Sequence, residues 1–445
     1  MKKIFLFFKF LTLLLLLPFS QAQVNLELTQ GLFGSMPIVL SIVGNTSHDV
    51  SKEITKVVTE KLSLSGELKI VSGDINVPTI DSLAKYQKQG MAYVAYAKIE
   101  QVFDSSDYKL SLLFYDLTND KNLDFAKPKK IISYKFDTKN LLSFSNVLAD
   151  DLYENITGNH GLYSTKLAYV LVQNKPGMKP IYSLNITPFG GVEQKTIFQS
   201  YEPIMSPRWS HKGDKIAYVS FEGKGSAIYV QDIKTGDRIK VSDINGVNGG
   251  PSWSADDLEL AIVLSEGEYT KIYQINIQDK TKVALTHGSS IDTEPLLTNE
   301  NRYLFFTSNR GGSPNIYKYD LLSDYIARVT FKGDYNSSVD ISPDYSNIVY
   351  LHRDGGLFSL ASQDLISGKV QILSRDEYEE SPSFAPNGKV VVYASKYGAR
   401  GVLGFVSIDG RIRWRMPIPN GDVQEPTWSP LQNYVDKFKL DEITI

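Results

Sequence analysis

Pro207-Arg208-Trp209-Ser210, Pro251-Ser252-Trp253-Ser254, Pro382-Ser383-Phe384-Ala385 and Pro426-Thr427-Trp428-Ser429 are four versions of one phrase. Their third position belongs to the series Trp209, Trp253, Leu297, Ile341, Phe384 and Trp428, spaced by 44, 44, 44, 43 and 44 residues. Nine residues after these anchors stand Tyr218, Ile262, Phe306, Tyr350 and Tyr393, inside β-branched and aromatic runs such as Ile216-Ala217-Tyr218-Val219. A third run is marked by Tyr229, Tyr273 and Tyr317, and a fourth by Arg328-Val329-Thr330. Turn formers such as Lys212-Gly213-Asp214, Arg310-Gly311-Gly312 and Asn387-Gly388 separate the runs. Four short strands in a period of ~40–45 residues are one blade of a β-propeller.

Six anchors predict six blades. Leu167-Ala168-Tyr169-Val170 and Ile181-Tyr182-Ser183-Leu184 read as second and third strands of a blade with no anchor strand upstream. Gln424 to Ser429 supplies that strand from the far end, closing the ring and removing its open edge. The anchor side chains are expected in the core, filling the space between neighbouring sheets.

Ahead of the repeat the pattern changes. Val50, Ile54, Val57, Val58, Lys61 and Leu62 keep helical spacing, with Ser47 or Asp49 as cap and Gly66 as stop. Tyr93 to Val102 and Tyr108 to Leu117 predict a hairpin turned by Asp104-Ser105-Ser106-Asp107. A second helix is expected from Leu141 to Asn155, ended by Gly158. The fold class is therefore a small α/β N-terminal domain followed by an all-β six-bladed propeller. The boundaries expected are 1–22 for a signal peptide, 23–160 for the α/β domain, 161–430 for the propeller and 431–445 for a C-terminal tail.

The signal peptide rests on Lys2 and Lys3, the apolar run from Ile4 to Leu17, and Ser20-Gln21-Ala22 with small residues where a signal peptidase reads. A run of about 14 residues, broken by Lys9, is shorter than the roughly 20 a spanning helix needs, so no membrane span is expected in the mature chain. Cysteine is absent, which excludes disulfides, thiolate ligands and a cysteine nucleophile, and suits a bacterial periplasmic protein. Formal charge is 47 minus 50, or −3. Without Lys2, Lys3 and Lys9 it becomes 44 minus 50, or −6. That mild acidity offers no footprint for nucleic acid, which needs clustered cations.

No catalytic motif is present. The histidines His48, His160, His211, His287 and His352 lack partners at metal-ligand spacing, and no nucleophile elbow, phosphate loop or dinucleotide fingerprint occurs. No cofactor or metal is expected. Glu202-Pro203, Glu294-Pro295, Glu380-Ser381-Pro382 and Glu425-Pro426 place a carboxylate just before the inner strand of four blades, and Asp340 lies near that place in another. Inner strands line the channel of a propeller, so these acids would gather at one mouth with Asn245, Asn248, Thr293 and Asn336. Such a rim would receive a basic peptide or a cation. Solvated loop ends that shape the turns are the equal alternative. The segment Gln23 to Ser35 alternates Val24, Leu26 and Leu28 before Gly31, Phe33 and Gly34. It reads either as a first strand of the small domain or as a free segment that adds to a partner's sheet edge.

An export signal, a small α/β domain and a propeller with Pro-x-Trp-Ser anchors together resemble the TolB family of the Tol–Pal system. The similarity runs through Thr29 to Ile38, Glu154-Asn155-Ile156-Thr157-Gly158, Thr293-Glu294-Pro295, Ser381 to Gly388 and Ser407-Ile408-Asp409-Gly410-Arg411. The resemblance implies a non-enzymatic, monomeric periplasmic adaptor supporting outer-membrane integrity and constriction during cell division. It implies that the propeller's channel mouth binds the peptidoglycan-associated lipoprotein Pal, with Val247, Gly250 and Thr293 among the contacts. It also implies that Gln23 to Ser35 engages TolA, and that colicin peptides can take the propeller surface. Val247 departs from the family, where well-known members carry His. Rival readings are a periplasmic propeller that binds a small ligand or metal, and a propeller enzyme without a recognisable motif.

Overall fold

The computed structural model describes residues 27–31, 34–44, 50–118, 127–174, 176–191, 194–374, 379–398, 400–418, 421–431 and 435–444. The expected signal peptide, the helix caps Ser47 and Asp49, and Gln23, Val24, Leu26 and Phe33 lie outside the described residues.

The described chain opens with β1 (Glu27–Gln30), then β2 (Met36–Gly44), α1 (Val50–Leu64), β3 (Leu68–Ser72), α2 (Ile80–Lys88), β4 (Tyr93–Gln101), β5 (Asp107–Asp116), β6 (Lys130–Asp137) and α3 (Leu141–Thr157). After the propeller come a helical turn, α4 (Val435–Phe438), and β7 (Lys439–Thr444). The small domain is one sheet in the order β3-β2-β4-β5-β6-β7, parallel where β2 pairs with β3 and β4 and antiparallel from β4 onward. One face buries Ile38, Leu40, Leu112, Phe114 and Tyr134 against Ile54, Val58 and Leu62 of α1 and Phe144, Leu148 and Leu152 of α3. The other buries Val39, Val94 and Tyr96 with Leu83 of α2. α2 starts at a reciprocal cap in which Thr79 and Ser82 each bond the other's backbone N–H. α3 stops at Gly158, whose φ of 74° is the left-handed C-terminal conformation that glycine adopts freely.

The propeller has six blades. Blade 1 joins the last inner strand, Asp422–Trp428, to Lys166–Gln173, Ile181–Pro188 and Lys195–Ser200. The ring therefore closes by pairing the two ends of the repeat, Gln424 opposite Val170 and Trp428 opposite Leu167. Blades 2 to 6 begin with the inner strands Ile204–Trp209, Asn248–Trp253, Asp292–Leu297, Tyr335–Ile341 and Glu380–Phe384. The anchors Trp209, Trp253, Leu297, Phe384 and Trp428 are buried, while Ile341 is half-buried. Each tryptophan finds a partner for its indole N–H: Trp209 donates to Thr427 O (3.3 Å), Trp253 to Arg208 O (2.9 Å) and Trp428 to Thr165 Oγ1 (2.8 Å).

Both chain ends depart from expectation. β1 is not the first strand of the small domain; it pairs antiparallel with Arg413–Pro417 and makes blade 6 five-stranded. Residues 431–445 were expected as a tail beyond the ring, yet Lys439–Thr444 pairs with β6 and extends the small domain's sheet. Each domain thus carries a strand from the opposite end of the chain. Edge strands offer unpaired backbone groups, and these termini satisfy two of them.

Candidate functional site

All six inner strands carry a register irregularity at one place, between Gln424 and Thr427 in blade 1 and between Met205/Arg208, Gly249/Ser252, Thr293/Leu296, Ser337/Asp340 and Glu380/Ser383 in blades 2 to 6. Within each bulge one residue has positive φ: Glu425 (49°), Ser206 (51°), Gly250 (52°), Glu294 (52°), Ser338 (54°) and Ser381 (50°). These stand three residues before the anchors, and five of the six precede proline. Proline disfavours αR in the residue before it and brings no N–H to the ladder, so it suits a bulge. The left-handed conformation costs a non-glycine residue of order 1–3 kcal/mol, and a ring of such positions requires compensation from its surroundings.

Part of that compensation comes from carboxylates crossing between blades. Glu294 accepts the Ser338 N–H at 2.7 Å and the Ser338 and Thr307 hydroxyls at 2.9 and 2.6 Å. Glu425 accepts the Ser206 N–H in the same way across the closure of the ring. Asp340 accepts the Phe384 N–H at 2.7 Å. Burial pushes the Glu425 carboxyl up to about 7, the nearby Glu380 carboxylate adding to the rise while the Ser206 N–H and Arg208 oppose it. Burial also raises Asp340, against the pull of Arg208. Three of the five acids are thus built into the wall of the channel as inter-blade staples, rather than standing free at its rim.

The remaining candidates separate. Glu202 lies four positions before Ser206, so it is not equivalent to Glu294 or Glu425, and it pairs with Lys179 at 3.2 Å. Asn248 is buried and held by Ser242, Ser226 and the backbone of Ile244, which makes it an internal support of the loop before it. Val247 is 44% exposed and Gly250 and Thr293 are half-buried, the ideal Cβ position of Gly250 lying 3.1 Å from Pro295 of the next blade. Tyr201, Met205, Ile291 and Phe331 are also exposed, at or up to four residues before the beginnings of inner strands. Residues joined to the small domain lie at the other ends of the blades: Asn387 bonds His160 O and Trp414 bonds Leu64 O. One mouth of the channel, away from the small domain, therefore carries exposed apolar residues from blades 2 to 5, and the wall below it holds Glu294, Asp340 and Glu425 with Arg208 near the last two.

Sequence reasoning missed two supports. The Asp292 carboxylate, in the residue before Thr293, is fully buried between Lys271 (3.0 Å) and Arg310 (3.1 Å). Asp150 of α3 accepts the Tyr163 and Ser164 N–H groups at 2.7 and 2.9 Å, tying the helix to the junction between domains. Asp150 stands beside Asp151 and Asp292 two residues before Glu294, and nothing in either stretch marks which acid turns inward. Of the N-terminal candidates, Leu28 lies opposite Trp414, with Glu27 opposite Arg415 and Gln30 opposite Arg413. Thr29 Oγ1 donates to Arg413 O at 3.0 Å, and the Cβ position of Gly31 would sit 3.4 Å from Gly66 O.

Among the described residues no cluster of three or more His, Asp or Glu side chains is arranged to hold a metal ion, and no helix is long and apolar enough to cross a membrane. A family model described as the TolB beta propeller domain matches residues 153–432. The chain is 39% identical over 426 residues to the Tol-Pal system protein TolB of Coxiella burnetii, covering 94% of this chain and 97% of that one. It is 38% identical to the protein of the same name from Legionella pneumophila strain Corby, covering 96% and 99%. The crystal structure of TolB from Acinetobacter baumannii superposes with a TM-score of 0.81 at 33% identity, covering 92% of this chain and all of that one.

Proposed function

We propose, from the premise that this chain belongs to the TolB family of Tol–Pal system proteins, that it is a non-enzymatic periplasmic adaptor with two partner-binding surfaces. The propeller mouth around Val247, Gly250 and Thr293 binds Pal, and the segment Gln23 to Ser35 binds TolA. In this role the protein supports outer-membrane integrity and constriction during division. The observation that carries the reading is that Tyr201, Met205, Val247, Ile291 and Phe331 are all exposed and all stand at or just before the starts of inner strands, at one mouth of the channel. Exposed apolar groups grouped on one face of a protein are a common mark of an interaction site.

Pairing of β1 with blade 6 supplies a physical basis for coupling the two surfaces. A strand uses the same backbone N–H and C=O groups whether it adds to its own propeller or to a partner's sheet, so the two pairings exclude each other along that edge. If Pal and TolA prefer different states of the segment, each shifts the other's affinity reciprocally.

The test is calorimetric binding of the mature chain to purified Pal and to TolA. Thr293→Arg should weaken Pal binding by at least tenfold with an unchanged melting temperature. Deletion of residues 23–33 should abolish TolA binding. Full affinity for both partners in both variants would refute the assignment.

A further inference from the structure

The C-terminal segment adds one side chain, Phe438, to the small domain's core and otherwise lies along its edge. Its backbone pairs with β6, Lys439 opposite Tyr134 and Thr444 opposite Lys130, with a register irregularity between Lys439 and Asp441. Phe438 is its buried anchor, meeting Phe144 of α3 edge-on at 5.6 Å between ring centroids. Two charge contacts fix the direction of the strand: Lys439 lies 3.9 Å from the Asp151 carboxylate of α3, and Glu442 lies 2.8 Å from the Lys130 ammonium of β6. Lys439 and Glu442 also pair with each other. Leu440 and Ile443, by contrast, are exposed. Beside the strand a cleft of about 630 Å³ runs between α3 and the domain junction, lined by Lys439, Glu442, Lys130, Asp151, Glu154 and His160.

This is the arrangement of a peptide bound by strand addition: an edge strand on one side, a helix on the other, one aromatic pocket and opposed charges at two positions. A terminal segment with one deeply buried side chain, Phe438 at the end of its helical turn, and with no fully buried side chain in its strand among the described residues belongs to the least stable part of a fold, where opening precedes global unfolding. We propose that the groove between β6 and α3 is a strand-accepting site held reversibly by the chain's own C-terminal segment. Its partner is a peptide that presents an aromatic residue at the end of a helical turn and continues as an extended strand with a lysine directly after the aromatic and an acidic residue three positions beyond that lysine. Lys130 and Asp151 select this order of charges, and Phe144 selects the aromatic. In the closed form the segment shields β6 from unwanted pairing and forms one side of the cleft at the junction.

The experiment keeps the full chain and places a protease site between Leu431 and Val435. After cleavage, a fluorescent peptide spanning residues 435–445 is added to cut and uncut protein. Exchange into the cut protein and exclusion from the uncut protein are expected. A Phe438→Ala peptide should bind at least tenfold more weakly, and a Glu442→Lys peptide should lose affinity that a Lys130→Glu protein restores. Cut protein that neither releases its segment nor takes up the probe would overturn the proposal. So would loss of the cooperative melting transition on release, since the segment would then be an integral strand of the domain. Equal binding by a scrambled peptide would overturn it as well.

Discussion

The carboxylate of Glu294 reaches out of its own blade to accept the backbone N–H of Ser338, 44 residues further along the chain, at 2.7 Å. It is therefore a support of the channel wall before it is a surface charge. Glu294→Ala should leave the Ser338 N–H and two hydroxyls without their acceptor and cost about 1–3 kcal/mol of stability. Urea unfolding measures this, and an unchanged midpoint would show that water replaces the carboxylate.

Glu425 makes the corresponding contact across the closure of the ring, with its carboxyl pushed up to about 7 from the usual 4.5. The folded chain then holds this proton at pH values where the unfolded chain has released it. Its contribution to stability is full below about pH 4.5 and declines as pH rises to 7, by up to about 3 kcal/mol. Glu425→Gln should flatten that part of the profile. Thermal melts at pH 5 and pH 7.5 decide the matter, and identical slopes in the variant and the parent protein would contradict it.

Trp253 is buried between blades 2 and 3 and donates its indole N–H to Arg208 O. Trp253→Ala should lose about 3–5 kcal/mol, with Pal affinity preserved in whatever fraction remains folded. Denaturation and calorimetry on the same sample separate the two effects.

Gly66 has a φ of 70°, and a Cβ there would meet Ile412 at 2.9 Å and the Gly31 Cα at 3.2 Å, where the chain leaving β1 passes. Gly66→Ala should therefore loosen β1 from blade 6. Amide exchange of residues 27–31 should accelerate at least tenfold, and TolA should bind more tightly because less of the segment is held. Unchanged exchange would mean that the close approach does not hold the strand.

The propeller was legible because a period near 44 residues is written locally in every copy, so the anchors, turns and ring closure followed from one chain. The helices ending at Gly66 and Gly158 were legible for the same reason, through spacing and stop signals. The acids were legible as a cluster but not in their roles: Glu202 and Glu294 look alike beside proline, and only the alignment of bulges sets them apart. Asn248 likewise reads as a loop amide, yet its partners turn it inward.

By itself, then, the sequence determined the repeat, its number of blades and the strand that closes the ring. Tertiary structure alone decided where the two chain ends go, β1 to blade 6 and Lys439–Thr444 to β6. The physical reason is that a strand's pattern states its wish to pair, while the choice of edge depends on which distant backbone groups are left open once everything else has folded.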